Sequence, residues 1–360
     1  MQGQSRTVAL VSDAAEFGGA ERYAVMLVEA LRAECGFVAV VGDAAPAETR
    51  RRLSDAGAAV EVVRGLRRRP TLRALARLRR AIHAAAPDVV HVNATDQGDS
   101  LAPLLAARPL RAPAVLTLHL VVPGRSAWRE RVSRWSCRRV RLAIAVSDAV
   151  AEWLDDAGVT RVVIRNGVSL PAASGDARAA LDVAPDAFLV GGVGRLDEQK
   201  GWDVLCEAAA AVRAVLPNAV FVVVGGGAEL RSLQDRPACA HVRFAGYRED
   251  AAALVAAFDV AVVPSRYEGF GFAAAEAMLA GVPVVASRTG GLVEVVGDSG
   301  ILVPPEDPAA LAEAIVRLGR DDAQRRELAA AGRHRAAAEF GVRRMAEQTL
   351  AVYQRVEAGG

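Results

Sequence analysis

Short apolar runs alternate with longer amphipathic stretches almost from end to end, and this rhythm constrains the fold more than any other feature of the chain. Strands are expected at residues 7–12, 37–41, 58–63, 88–92, 114–119, 142–146 and 161–164, with helical segments such as 19–32 and 71–85 between them. These runs are near-continuous Val, Ala and Leu, as a parallel sheet covered on both faces requires. The rhythm breaks at 168–187, VSLPAASGDARAALDVAPDA, whose Pro, Ser, Gly and Asp read as a linker. A second series follows at 188–193, 219–224, 242–244, 260–263, 282–286 and 301–303. After Pro308 the chain reads as helix to the end, with a break near Phe340 and Gly341. The length of 360 residues suits two cores of about 150–180 residues each. The expected architecture is α/β, with two Rossmann-like doubly wound domains, 1–167 and 188–339, facing across a cleft, and residues 340–360 forming a helix that crosses back to the first. Ligands of such sheets bind at the carboxyl ends of the strands, so the loops that follow strands carry the search for a site.

Composition narrows that search. Lys and Arg total 44 against 42 Asp and Glu, so no bulk attraction to nucleic acid follows. Lys200 is the only lysine, while every other side-chain cation is arginine or histidine. Arginine-rich stretches are therefore weak signals here, and a lysine that persists against the bias is a strong one. Cys35, Cys137, Cys206 and Cys239 are scattered without a C-x-x-C pair, which reads as four small thiols in a reducing compartment. The first strand begins at residue 7 without the layout of a signal peptide, and no run reaches the ~18 apolar residues of a membrane span. A cytoplasmic protein is expected. Two arginine-rich stretches, 64–80 and 125–141, leave room for a weak peripheral contact with the inner face of a membrane, although a solvated face explains them as well.

The densest chemical signal is PSRYEGFGFAAAEAMLAG at 264–281, after the strand at 260–263. A glycine-loosened turn there should lead into a helix near Gly271 or Phe272, whose unpaired N–H groups suit a diphosphate. Glu276, on that helix, can accept two hydrogen bonds from a vicinal diol such as a ribose. Glu268 stays in the loop, nearer a transferred group. A plain turn with two solvated glutamates is the competing explanation. GGVGRLDEQKG at 191–201 also follows a strand, and places Arg195 and Lys200 before a helix, a suitable pair for two phosphates. Its glycines lack the third member of a dinucleotide fingerprint. Gly18 and Gly19, after the first strand, would let a ligand approach the backbone closely, although a structural turn accounts for them too. His119 closes the strand at 114–119 and points towards the expected cleft. No D-x-D tripeptide occurs, so a leaving diphosphate would be met by Arg195, Lys200 and helix N-termini, with no metal and no cofactor.

In this order, EFGGAE, GRLDEQKG, PSRYEGFGFAAAEAMLAGVPVVAS and GILVPPEDPAAL resemble the GT-B retaining glycosyltransferases of family 4 along essentially the whole chain. The resemblance implies that Glu268 lies near the donor sugar and Glu276 binds the nucleotide ribose. It places Arg195 and Lys200 on the diphosphate, Gly18 and Gly19 beside the donor phosphate, and backbone amides around Phe270, Gly271 and Phe272 in the donor cradle. His119 would sit beside the transferred sugar. Tyr247 and Arg248, at the end of another strand, are expected near the base. Asn93, where relatives often carry a histidine, and Asn166, in the turn before the linker, fall on the acceptor side. Retention of anomeric configuration is implied, with the departing phosphate oxygen taking the acceptor proton. A UDP-sugar is the expected donor. The acceptor (a small molecule, a glycan or a lipid-linked hydroxyl) and the oligomeric state stay open. A nucleotide-sugar epimerase of the same architecture, or a non-catalytic nucleotide-sugar-binding subunit, are the alternatives.

Overall fold

All six residues of the strand Val89–Ala94 and all four of Val260–Val263 are buried, so the absence of polar alternation in the sequence reflects strands covered on both faces. A computed structural model gives the fold of residues 6–66, 71–108, 111–170 and 176–359. The first sheet contains β1 (Arg6–Ser12), β2 (Cys35–Gly42), β3 (Ala59–Val63), β4 (Val89–Ala94), β5 (Ala114–Leu118), β6 (Leu142–Ala145) and β7 (Arg161–Val163) in the order β3-β2-β1-β4-β5-β6-β7. The second contains β8 (Phe188–Val193), β9 (Ala219–Val224), β10 (Val242–Phe244), β11 (Val260–Val263), β12 (Val284–Ser287) and β13 (Ile301–Val303) in the order β10-β9-β8-β11-β12-β13. Pairing is parallel in both, for example Val8 opposite Phe37 and Val190 opposite Phe221. The strand order reverses between β1 and β4 in one sheet and between β8 and β11 in the other. Those are the two switch points at which such sheets open a crevice.

Helices α1 (Gly19–Leu31), α2 (Ala47–Asp55), α3 (Leu72–Ala84), α4 (Leu101–Ala107), α5 (Ala127–Cys137) and α6 (Asp148–Asp156) connect the first sheet. The second is connected by α7 (Ala177–Ala180), α8 (Trp202–Val215), α9 (Leu230–Gln234), α10 (Ala251–Leu254), α11 (Phe272–Leu279), α12 (Gly291–Val296), α13 (Pro308–Arg320) and α14 (Asp322–Glu339). The last helix, α15 (Val342–Ala358), packs on α1. Two compact units result, one of residues 1–167 with 342–360, the other of residues 168–341.

Two expectations change. The stretch 168–187, which reads as a linker, belongs to the second unit. Within it, Asp176 caps α7, Leu181 and Val183 are buried, and Arg178 pairs with Asp259 at 2.7 Å. Residues 171–175 of that stretch, like 67–70 of the first arginine-rich one, lie outside the described residues. The second change concerns the cysteines. Cys35 and Cys137 are free buried thiols, but Cys206 of α8 and Cys239, 33 residues on, form a disulfide. No local motif announces a pair that is made by α8 packing over the turn at Pro237–His241. The reducing-compartment expectation therefore loses its basis. Alkylation in denaturant without reductant should label two thiols of the four, and four only after reduction; four labelled beforehand would remove the disulfide.

Candidate functional site

In the second unit the two motif loops are seated against each other at the β8/β11 switch point. After β8 the chain makes a single turn of 3₁₀ helix at Glu198–Lys200, capped by Asp197, which accepts from the Lys200 N–H at 3.2 Å. Gly201 then takes a left-handed conformation (φ 64°) and starts α8. A Cβ at Gly201 would overlap the Pro264 carbonyl oxygen, so this glycine is required both by its dihedral and by the close approach of the second loop.

Hydrogen bonds stitch the two loops together. Lys200 Nζ lies 2.8 Å from Glu268 Oε2, with both side chains largely buried. Gln199 accepts from the Arg195 guanidinium at 3.0 Å and donates to the Tyr267 carbonyl at 3.1 Å. The Arg266 N–H donates to the Gln199 carbonyl at 2.8 Å. The Arg266 guanidinium donates twice to Asp203, at 3.0 and 2.8 Å, and once to Glu306 at 2.8 Å. These carboxylates raise the Arg266 pKa and keep it charged. Arg195 is further held by Asp197 at 3.0 Å, and its carbonyl accepts from the Trp202 indole at 2.6 Å. Arg195, Lys200 and Glu268 are thus brought together. Gln199, Arg266 and Asp203 hold them there, and sequence reasoning named none of these three.

The Glu268 loop is carried on its other side by two glycines that the sequence reading also missed. Gly291 donates its N–H to the Glu268 carbonyl at 3.1 Å, and a Cβ at Gly290 or Gly291 would strike the backbone at Glu268 or Gly269. The Thr-Gly-Gly triplet after β12 was their only signal. Gly271 (φ 100°) is the N-cap of α11, whose first-turn amides are those of Phe272, Ala273 and Ala274. Phe270 is buried edge-on between Phe272 and Phe340, both at 5.4 Å between centroids, which fixes the turn. Glu276 follows one turn into α11 and is buried. Tyr247 and Arg248 stand in the loop after β10, which meets the loop after β9 where the Gly225 N–H donates to the Gly246 carbonyl at 2.9 Å. Tyr247 is exposed, and the Arg248 guanidinium is held by Asp250 at 2.8 and 2.7 Å and by the Ala180 carbonyl at 3.1 Å.

The first unit places its own candidates at the β1/β4 switch point. Gly18 is the N-cap of α1 with an extended backbone (φ −133°, ψ −157°), which any residue can adopt. A Cβ there would meet nothing closer than Glu21 Oε2 at 3.6 Å, so nothing local demands glycine. Gly19 opens the helix. The Gly18 N–H donates to Glu21 Oε2 at 3.1 Å, and Ser12 donates to the other oxygen at 3.4 Å. Glu21, at N3 of the helix, is thus the residue that shapes the glycine turn. Asn93 lies on β4 and His119 just beyond β5, with the His119 Nε2 2.8 Å from Asn93 Oδ1. Asn166 follows β7, is buried, and its Oδ1 has no partner among the described residues.

Taken by themselves, a pair of cations, a carboxylate and a helix start at one switch point make a doubly wound protein fit for an anionic, hydroxyl-bearing ligand. Comparison with known proteins makes this specific. Residues 17–171 match the family described as glycosyltransferase family 4, and residues 187–321 the one described as glycosyl transferases group 1. A phosphatidyl-myo-inositol mannosyltransferase of Mycobacterium leprae is 33% identical over 95% of this chain and 94% of its own. A 2-deoxystreptamine glucosyltransferase of Streptomyces kanamyceticus is 30% identical over 71% of this chain and 74% of its own. The crystal structure of Anabaena HepE in complex with UDP and glucose superposes with a TM-score of 0.83 at 26% identity, covering 97% of this chain and 100% of that one. The chain belongs to the group 1, family 4 glycosyltransferases of GT-B fold, and its activity is sugar transfer.

Glu21 gives the glycine turn a pH dependence. Burial raises its carboxyl to about 7 in spite of the hydrogen bonds from Gly18 and Ser12. The folded chain holds this proton up to about pH 7, whereas the unfolded chain releases it near 4.5. Unfolding therefore releases a proton between these values, and stability falls as pH rises through them, by roughly 3 kcal/mol for this group. Glu21→Gln keeps an oxygen for the Gly18 N–H and an amide for Ser12. Urea unfolding at pH 5 and pH 8 should show the variant gaining on the parent chain as pH rises. A difference that does not change with pH would contradict this.

Proposed function

We propose that the chain transfers a glycosyl residue from a UDP-sugar to a hydroxyl acceptor, with retention of configuration and without a metal ion. The observation that carries this reading is the Lys200–Glu268 contact, which joins the two donor motifs beside Arg195 and the start of α11. The choice of UDP is supported by the HepE complexes with UDP and with UDP-glucose. In the reaction the bond between the anomeric carbon and the β-phosphate oxygen breaks, and the acceptor oxygen bonds to the same face of the sugar. Lys200, Arg195 and the first-turn amides of α11 meet the charge that grows on the diphosphate, which is electrostatic stabilisation by groups already in place. The departing phosphate oxygen takes the acceptor proton, so no enzymic base is needed. Glu268 steadies the sugar, and Glu276 binds the ribose diol. Gly18, which its own backbone does not require, leaves room at the α1 N-terminus.

A lipid-linked acceptor is favoured by the surface of α5. Trp128 and Trp135 are both exposed two turns apart, and the Arg139 guanidinium stacks on Trp135 at 3.2 Å. Aromatic residues with arginines suit the headgroup layer of an anionic bilayer. Co-sedimentation with phosphatidylglycerol vesicles at low salt should be lost in the Trp128→Ala, Trp135→Ala double variant; no sedimentation of the parent chain would remove the membrane reading.

Turnover of UDP-glucose, followed as UDP release, should persist in excess EDTA; strict dependence on a divalent ion would refute the metal-free mechanism. Lys200→Ala and Arg195→Ala should each lower kcat by ~10²-fold or more. Glu276→Ala should act mainly on the donor KM, by ~10-fold or more, since ribose contacts bind ground and transition states alike. Gly18→Ala should fold with stability within ~0.5 kcal/mol of the parent chain yet lose turnover. If it were fully active, the glycine would be a structural turn only.

A further inference from the structure

Two buried histidines of the first unit differ in one respect. His91, on β4, has both ring nitrogens satisfied by protein: Nδ1 lies 2.6 Å from the Tyr353 hydroxyl and Nε2 2.7 Å from the Thr117 hydroxyl. His119 has only one. Its Nε2 meets Asn93, and Nδ1 makes no hydrogen bond among the described residues. His91 is thus a closed structural group, whereas His119 is half open.

The chemistry of Asn93 decides which half. Its side chain is 1% exposed, and its amide reaches two groups only. One is the Ala20 carbonyl oxygen at 3.0 Å, in the first turn of α1. A carbonyl can only accept, so Nδ2 must face it, and Oδ1 must then face His119. An amide oxygen can also only accept. The His119 Nε2 at 2.8 Å therefore carries a hydrogen. Burial lowers the His119 pKa to about 3, so the ring is neutral and its Nδ1 bears a lone pair. The Tyr23 ring, edge-on at 4.8 Å and 67°, fixes the plane of the imidazole. The strand register completes the arrangement. The His119 N–H donates to the Ala94 carbonyl at 3.1 Å, which seats it beside the carboxyl end of β4.

We infer that Asn93 is a positioning residue that locks His119 in its Nε2–H tautomer and so presents Nδ1 as a hydrogen-bond acceptor for a substrate hydroxyl. Asn93 itself is then not an acceptor contact, because both ends of its amide are engaged inside the protein. A bare ring nitrogen selects for a hydroxyl donor and against a carboxylate or phosphate, whose lone pairs would face its own. The hydroxyl can belong to the donor sugar or to the acceptor. This inference rests on the proposed transfer reaction only for the substrate that supplies the hydroxyl; the tautomer can be read without any ligand.

The test is nuclear magnetic resonance of the full chain with 15N-labelled histidine, in which the two neutral tautomers and the cation give distinct nitrogen shifts. The expected result is a neutral Nε2–H His119 from pH 8 down to pH 5, and a mixture of tautomers in Asn93→Ala. Asn93→Asp keeps the accepting oxygen but adds a charge, so the ring should titrate within that range and the rate of UDP-glucose hydrolysis should acquire a new acidic limb. Thermal unfolding of both variants controls for damage to the fold. Movement of the His119 Nδ1 resonance with UDP-glucose but not with UDP assigns the hydroxyl to the donor sugar. Movement with neither, together with ~10-fold slower hydrolysis in Asn93→Ala, assigns it to the acceptor side. A proton on Nδ1 in the parent chain, or Asn93→Ala with unchanged tautomer and hydrolysis, overturns the inference. Failure of UDP to bind at all would instead strike the donor reading and leave the tautomer result intact.

Discussion

The close seating of the loop after β8 on the loop after β11 is the constraint from which the second unit's site follows. It is possible because residue 201 has no side chain, so the Pro264 carbonyl can lie against the start of α8. Once the backbones are that near, Gln199 can bridge Arg195 to Tyr267, and Lys200 can reach Glu268. A cation and a carboxylate at 2.8 Å in a largely buried setting hold each other in place. On the proposed reading, a diphosphate arriving beside them finds charge already oriented, which is the condition under which electrostatic stabilisation is most effective.

The first unit solves a different problem with buried polar groups. Tyr23, His91, Thr117, Thr349 and Tyr353 form a closed network between α1, the sheet and α15, with contacts of 2.6 to 3.5 Å. Each enclosed group would be costly if left unpaired, so the network ties the last helix of the chain to the unit in which the chain begins. Asn93 and His119 are its open margin. Glu21 plays the corresponding part for the glycine turn, where an enclosed carboxyl takes the N–H of Gly18.

Much of this was legible in the sequence, for identifiable reasons. Strands covered on both faces are runs of Val, Ala and Leu, so both sheets could be read almost strand by strand. Glu268, Arg195 and Lys200 stand in loops after strands, where chemistry concentrates, Glu276 lies one turn into the helix that follows, and Lys200 stands out against a chain that otherwise uses arginine. The groups that hold them were not legible. Gln199, Arg266, Asp203, Gly290 and Gly291 are polar or small residues whose roles depend on which loops come into contact, and spacing along the chain does not encode that. Glu21 had a readable signal, three residues after Gly18 at a helix start, but a glycine N-cap hides the usual capping pattern. Cys206 and Cys239 stand 33 positions apart in the sequence, and their pairing depends on the packing of α8. Residues 168–187 misled by composition, since Pro, Gly and Asp mark turns inside domains as readily as linkers between them.

The central claim is that Lys200, beside Glu268, binds the diphosphate of the donor. Calorimetric titration of UDP in EDTA into the parent chain and Lys200→Ala tests it most directly. The account predicts binding without metal to the parent chain and an affinity at least ~10-fold weaker in the variant, or about 1.4 kcal/mol. Equal affinities, or binding that appears only when a divalent ion is added, would contradict it.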